Sequence, residues 1–87
     1  MTLQEEFNQA VTQSKEIAER PSNEDLLQLY GLYKQVTAGN VTGERPGGFD
    51  FKGAAKYDAW ENEKGKPTDK AMQEYISLVN ELESKEG

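Results

Sequence analysis

The chain of 87 residues contains no cysteine and no histidine. Without cysteine there is no disulfide and no thiol chemistry, which suits a reducing compartment. Without histidine the commonest general base and the commonest metal ligand at neutral pH are both missing, and a serine triad has no partner for Ser14, Ser22, Ser77 or Ser84. No apolar run approaches the roughly 18 residues of a membrane span. The opening MTLQEEFNQA lacks the basic start and apolar stretch of a secretory signal. These absences predict a cytoplasmic location and no stable membrane insertion. No GxGxxG is present, and the segment from Gly43 to Gly48 lacks the lysine–hydroxyl pair of a P-loop. The carboxylates are many but scattered, and nothing pairs them for acid–base work. For an enzyme the sequence offers almost nothing: no catalytic residue, metal ligand or cofactor motif stands out.

One domain spanning residues 1–87 is expected from the length, with a modest core, since a chain this short buries roughly 60% of its unfolded surface. The net charge of −6 argues against nucleic acid as a partner. The charge is unevenly spread. Residues 30–57 hold Lys34, Arg45, Lys52 and Lys56 against only Glu44 and Asp50, while the remainder carries six cations and fourteen acids. A basic island in an acidic chain suits an anion smaller than a nucleic acid.

The pattern predicts four helices and no strand. Leu3, Phe7, Ala10, Val11, Ser14, Ile17 and Ala18 recur at helical steps up to Pro21. Ser22, with Asp25 three residues on, starts a second helix whose stripe is Leu26, Leu29, Tyr30, Tyr33 and Val36 or Thr37, with Gly39 as its stop. GNVTGERPGGFD follows, holding four glycines and a proline, and cannot be regular. Asp50 caps a third helix, FKGAAKYDAWENEK, in which Gly53 costs roughly 1 kcal/mol relative to alanine. That weakness suggests a close approach to the backbone. After Gly65 and Pro67, which suits a first helical turn, a last helix carries Met72, Tyr75, Ile76, Val79 and Leu82. Short joins give an antiparallel-type bundle, and the long loop permits two neighbouring helices to run parallel.

Two constellations stand out. Lys52 and Lys56 share one face of the third helix among small residues. They are either a solvated face, softened by Asp58 and Glu63, or a pair addressing one anion. Tyr30, Tyr33 and Lys34 are either half-buried core residues beside a solvated lysine, or aromatic planes, phenolic donors and an ammonium for a nucleotide.

The strings YGLYKQ and ERPGGFDFKGAAKYDAW, with KAMQEYISLVNEL, resemble the acyl-CoA-binding protein family over essentially the whole chain. The resemblance implies an all-α four-helix bundle of up-down-down-up arrangement, with the second and third helices parallel. It implies a non-catalytic, cofactor-free carrier and buffer of medium- to long-chain fatty acyl-CoA thioesters, monomeric, meeting acyl-CoA-using enzymes only transiently. By position, Tyr30, Lys34 and Lys56 match the residues that hold the 3′-phosphate of CoA, within the stretch Tyr30, Gly31, Leu32, Tyr33 and Lys34 that meets the head. Tyr33 matches the aromatic at the adenine, and Lys15, Lys52 and Tyr75 match further head contacts. Leu26, Leu27 and Ala55 match the acyl-chain path, with Phe7 and Val11 beside it.

Departures from the family pattern are Tyr57 for a common tryptophan, Gly48 for a larger residue, Glu63 for leucine and Val11 for alanine. Of these, Val11 bears on chain-length preference. Two rival readings remain at this stage. One is a helical module for another protein's helix. The other is an enzyme acting on the same thioester.

Overall fold

A computed structural model of the chain describes residues 1–17 and 20–84. Among these residues there are four helices and no strand: α1 (Leu3–Ser14), α2 (Asn23–Ala38), α3 (Phe51–Glu61) and α4 (Thr68–Ser84). Each start has a local cause. Thr2 closes a capping box on α1, its hydroxyl accepting from the Glu5 N–H while the Glu5 carboxylate accepts from the Thr2 N–H. The sequence reading passed over this box. The Thr2 N–H and the Thr2 hydroxyl both donate to the Glu5 carboxylate and hold it below its ordinary range. The Ser22 hydroxyl accepts from the Asp25 N–H at 3.2 Å, and Asp50 accepts from the Gly53 N–H at 2.9 Å, as the two predicted caps require. Gly39 ends α2 at φ +81°, a conformation that favours glycine. Pro67 stands just before α4, and its carbonyl accepts the bond from Ala71 that opens the helix.

Two ends fall short of the sequence expectation. The stripe through Ile17 and Ala18 suggests a longer first helix, yet α1 stops at Ser14. The hydroxyl of Ser14 bonds back to the Val11 carbonyl and that of Thr12 to Asn8, while Lys15 N–H takes Thr12 O in a tighter turn. Ile17 still packs against the core from outside the helix, and Ala18 lies outside the described residues. The third helix stops at Glu61 rather than Lys64. Glu63 and Lys64 there bond three residues back, to Trp60 and Glu61, and the tightened turn leads to Gly65 at φ +87°.

One cluster forms the core: Phe7 and Ala10 from α1, Leu29 and Leu32 from α2, and Ala71, Met72, Tyr75, Leu78, Val79 and Leu82 from α4. α4 packs on both α1 and α2, and α3 packs on α2 alone. The stripe expected for α2 is therefore corrected. Leu32, absent from it, is wholly buried, whereas Tyr33 is 39% exposed. α2 lies between two neighbours and buries a second face, Gly31 and Gln35, in addition to Leu29 and Leu32. A methyl group on Gly31 would collide with the Ala59 carbonyl, so glycine is what lets α3 approach so closely.

α2 and α3 run in the same direction, as rising numbers on one meet rising numbers on the other. Leu26 and Leu27 face Lys52 and Ala55, Tyr30 faces Lys56, Gly31 faces Ala59 and Lys34 faces Trp60. Parallel neighbours need a long connection, and residues 39–50 supply it. The connection is pinned along its length. Trp60 Nε1 donates to the Gly39 carbonyl at 2.7 Å, and Asn40 Oδ1 accepts from Gln35 and from the Gly65 N–H. The Tyr57 hydroxyl donates to Gly43 O, and Arg45 grips Asp58 through two hydrogen bonds of 2.8 and 2.9 Å.

Candidate functional site

A helix advances about 100° per residue, so Tyr30, Tyr33, Lys34 and Thr37 share one face of α2. α3 flanks this face on one side and α1 on the other. On the α3 side lies a cleft of about 520 Å3, bounded by Arg20, Asn23, Leu26, Leu27, Tyr30, Lys52, Ala55 and Lys56. Its floor is apolar, its mouth carries three cations, and Tyr30 stands at the end towards the C-terminus of α2. On the α1 side lies a groove of about 370 Å3 between Phe7, Val11, Tyr33, Val36 and the polar Gln4, Asn8 and Thr37. Tyr33 lies nearly parallel to Phe7 there, with centroids 6.3 Å apart.

Two lysines, Lys34 and Lys56, are placed by aromatic rings instead of acids. Lys56 on α3 reaches over the Tyr30 ring of α2, its ammonium 5.3 Å from the centroid. Lys34 on α2 reaches over the Trp60 ring of α3 at 4.8 Å. Each contact contributes about 0.5–1 kcal/mol and leaves the ammonium's charge uncancelled. Among the described residues the ion pairs lie elsewhere: Arg45 with Asp58, and Lys66 with Glu63 and Glu74. This corrects one expectation. Asp58 and Glu63 do not soften the Lys52–Lys56 repulsion, because Arg45 and Lys66 engage them. The Arg45 hydrogen bond holds the Asp58 carboxyl below its ordinary range.

A second correction concerns Gly53. The group that crowds its backbone is the Asp50 carboxylate, folded back as the helix cap, and a methyl group at Gly53 would strike it. The close approach inferred from the sequence is thus internal to the chain.

The residues expected from the sequence fall into three sets. Tyr30, Lys52, Lys56, Leu26, Leu27 and Ala55 come together in the α2–α3 cleft, with Lys34 on the adjoining face. Phe7, Val11 and Tyr33 line the separate α1–α2 groove, so the residues expected to share an acyl-chain path divide between two depressions. Gly31, Leu32 and Tyr75 are buried and offer no open surface. Gly31 is closed by α3 and Leu32 by the core. Tyr75 stands edge-on to Phe7 at 5.0 Å and donates its hydroxyl to Ser14 at 3.1 Å; burial pushes its phenol up. Lys15 is exposed at the end of α1 and lines neither depression. Arg20 and Asn23 line the cleft and were missed. Asn23 precedes Leu26, Leu27 and Tyr30 at helical spacing, a signal that was readable had the stripe been carried back towards Pro21.

Comparison with known proteins decides the family. The family model described as acyl-CoA-binding protein matches residues 4–79. The chain belongs to the acyl-CoA-binding protein family. It is 52% identical over 82 residues to the acyl-CoA-binding protein of Brassica napus, covering 94% of this chain and 89% of that one. Acyl-CoA-binding protein homolog 1 of Caenorhabditis elegans is 46% identical over 87 residues, covering 100% and 99%. Among solved structures, acyl-CoA-binding protein 2 of Oryza sativa superposes with a TM-score of 0.92 at 46% identity, covering 98% of this chain and 94% of that one. The protein from Moniliophthora perniciosa superposes at 0.89 with 32% identity, covering 98% and 83%. The all-α fold of acyl-CoA-binding proteins is therefore this chain's fold.

Proposed function

We propose that the chain binds, buffers and carries medium- to long-chain fatty acyl-CoA thioesters without acting on them chemically. Membership of a family of binding proteins supports the ligand class. The observation that carries the site is the uncancelled charge of Lys34 and Lys56, each laid on a ring of the opposite helix, beside an apolar cleft floor.

In this reading Tyr30, Lys34 and Lys56 hold the 3′-phosphate, and Tyr33 offers its exposed ring to the adenine, backed by Phe7. Lys52 adds charge at the cleft mouth, and the tail lies along Leu26, Leu27 and Ala55. Each buried methylene contributes roughly 0.8 kcal/mol, so a long tail supplies around 10 kcal/mol before the entropy of association. Charge-assisted hydrogen bonds to phosphate add about 1.5–3 kcal/mol each. The tail sets affinity and the lysines and tyrosines select for CoA. The protein works as a monomer in the cytoplasm, meeting acyl-CoA-using enzymes transiently.

Calorimetric titration with palmitoyl-CoA, free CoA and palmitate in parallel tests this. Tight binding of the first, weak binding of the second and negligible binding of the third are expected, with affinity falling as salt rises. Weak or absent binding of all three would leave the fold without the activity.

A further inference from the structure

The cleft between α2 and α3 holds more positive charge than one phosphate needs. Tyr30 and Lys56 stand at one end of it, with Lys34 adjoining, and Arg20, Asn23 and Lys52 line the other. Tyr30 follows Asn23 by two turns of α2, a rise of about 10 Å. Lys52 precedes Lys56 by one turn of α3, which sets their Cβ atoms about 5–6 Å apart. Arg20 lies on the non-helical segment that leads into α2, and Pro21 behind it disfavours helical backbone there. Among the described residues neither Arg20 nor Lys52 takes an acid as ion-pair partner. The acids nearby are turned away or engaged. Asp50 caps its own helix, Glu24 opens onto the opposite depression with Asp58 and Glu63, and Asp25 is half-buried in the first turn of α2.

We propose that Arg20 and Lys52 form a second anion subsite, which takes the 5′-diphosphate of a CoA thioester while Tyr30, Lys34 and Lys56 take its 3′-phosphate. The inference rests on the ligand proposed above. In CoA the two groups hang from one ribose, so a protein that holds both needs cations a short step apart, and consecutive turns of α3 provide that step. The charges also match. A phosphate monoester carries about −1.5 to −2, which Lys34 and Lys56 balance. The diphosphate carries one negative charge on each phosphorus, which Arg20 and Lys52 balance. The planar fork of Arg20 suits paired oxygens on adjoining phosphoryl groups, and Asn23 adds a neutral donor at the same rim. The two subsites divide the selection of ligand. The one around Lys56 distinguishes CoA from dephospho-CoA. The one around Arg20 distinguishes both from a pantetheine thioester, which bears the same tail and no diphosphate. Arg20 is therefore a specificity-determining residue of the cleft.

The test pairs calorimetry on dodecanoyl-CoA and dodecanoyl-dephospho-CoA with phosphorus NMR of the bound dodecanoyl-CoA. Arg20 lies outside every helix and outside the core cluster, so Arg20→Gln is expected to fold as the wild type does. It is expected to weaken both esters by the same factor of about ten, since both keep the diphosphate. In the NMR spectrum it should move the two diphosphate resonances towards their free positions and leave the 3′-phosphate resonance in place. Lys56→Gln should do the converse, moving the 3′-phosphate resonance and losing its effect on the dephospho ester. Unchanged affinity for dodecanoyl-CoA in Arg20→Gln overturns the proposal. So does a loss that disappears with the dephospho ester, which would give Arg20 to the 3′-phosphate. A loss that leaves all three phosphorus resonances where the wild type has them also overturns it, because Arg20 would then act through the tail or the fold. If the wild type itself fails to bind dodecanoyl-CoA, the proposed ligand falls and takes the subsite with it. If the wild type binds and Arg20→Gln binds equally, the subsite falls alone.

Discussion

Lys34 and Lys56 carry charges that no acid neutralises among the described residues, and each depends on a ring across the α2–α3 seam for its position. Truncating Lys56 leaves the core cluster untouched and removes one cation–π contact, so Lys56→Ala should lower the unfolding midpoint by no more than about 8 °C while weakening palmitoyl-CoA at least about tenfold. Equal affinity in calorimetry would remove Lys56 from the site. Lys34 offers an optical counterpart. Its ammonium sits over Trp60, the chain's one tryptophan, so a phosphate that draws the ammonium away alters the field on the indole. Titrating acyl-CoA should change Trp60 emission, and Lys34→Met should remove most of that change. An undiminished response in Lys34→Met would mean that the indole senses the ligand by another route.

At the level of the helix, α3 combines a good cap with a poor third residue, and the two are coupled. Gly53 is unfavourable in a helix by roughly 1 kcal/mol against alanine, but alanine there would strike the Asp50 carboxylate. Gly53→Ala alone should therefore lower the unfolding midpoint. Asp50→Ala alone should cost about 1 kcal/mol, the usual value of a cap. In the Asp50→Ala background, Gly53→Ala should turn neutral or stabilising, a non-additivity that a double-mutant cycle reads directly. Additive effects would mean that the cap side chain moves aside freely. This pair also marks the limit of what the sequence could tell. Both caps at Ser22 and Asp50, the stop at Gly39 and the stripe of α4 were readable because each is a local signal. The partner of Asp58 was not, because Arg45 reaches it from the long loop, 13 positions away in sequence, while the Glu63–Lys66 pair, though local, ties the end of α3 to Glu74 of α4 only once the helices are in place. The face of α2 was half read: the stripe took in Tyr30 and Tyr33 and left out Leu32, since a helix between two neighbours has no single stripe. The lysines of the α2–α3 cleft were legible by family motif, while the division of Phe7 and Val11 from Leu26 and Leu27 needed the helices in place.

Across the whole molecule the helices are not equally secured. The core cluster draws on α1, α2 and α4 and on no residue of α3, and α3 buries only Ala54 and Ala59. α3 is held instead by the close seam at Gly31, by hydrogen bonds from Trp60 and Tyr57 to the long loop, and by the exposed Arg45–Asp58 pair. Small side chains remove little apolar area from water, and an exposed ion pair contributes little. Local opening therefore costs least where contacts are small and polar. Amide exchange in the ligand-free protein should accordingly be fastest, among the helix interiors, in α3, and slowest in α4 around Met72–Val79. A ligand held between α2 and α3 adds contacts that only the closed seam offers, so it stabilises that closure by mass action. Palmitoyl-CoA should slow exchange in α3 by a larger factor than in α4, and Lys56→Ala should reduce that protection at equal ligand concentration. Equal protection of α3 and α4 in the free protein would mean that the loop hydrogen bonds hold α3 as firmly as the core holds its neighbours. Tighter closure confined to the α1–α2 groove would move the ligand's main contacts to Phe7, Val11 and Tyr33 and away from the cations of α3.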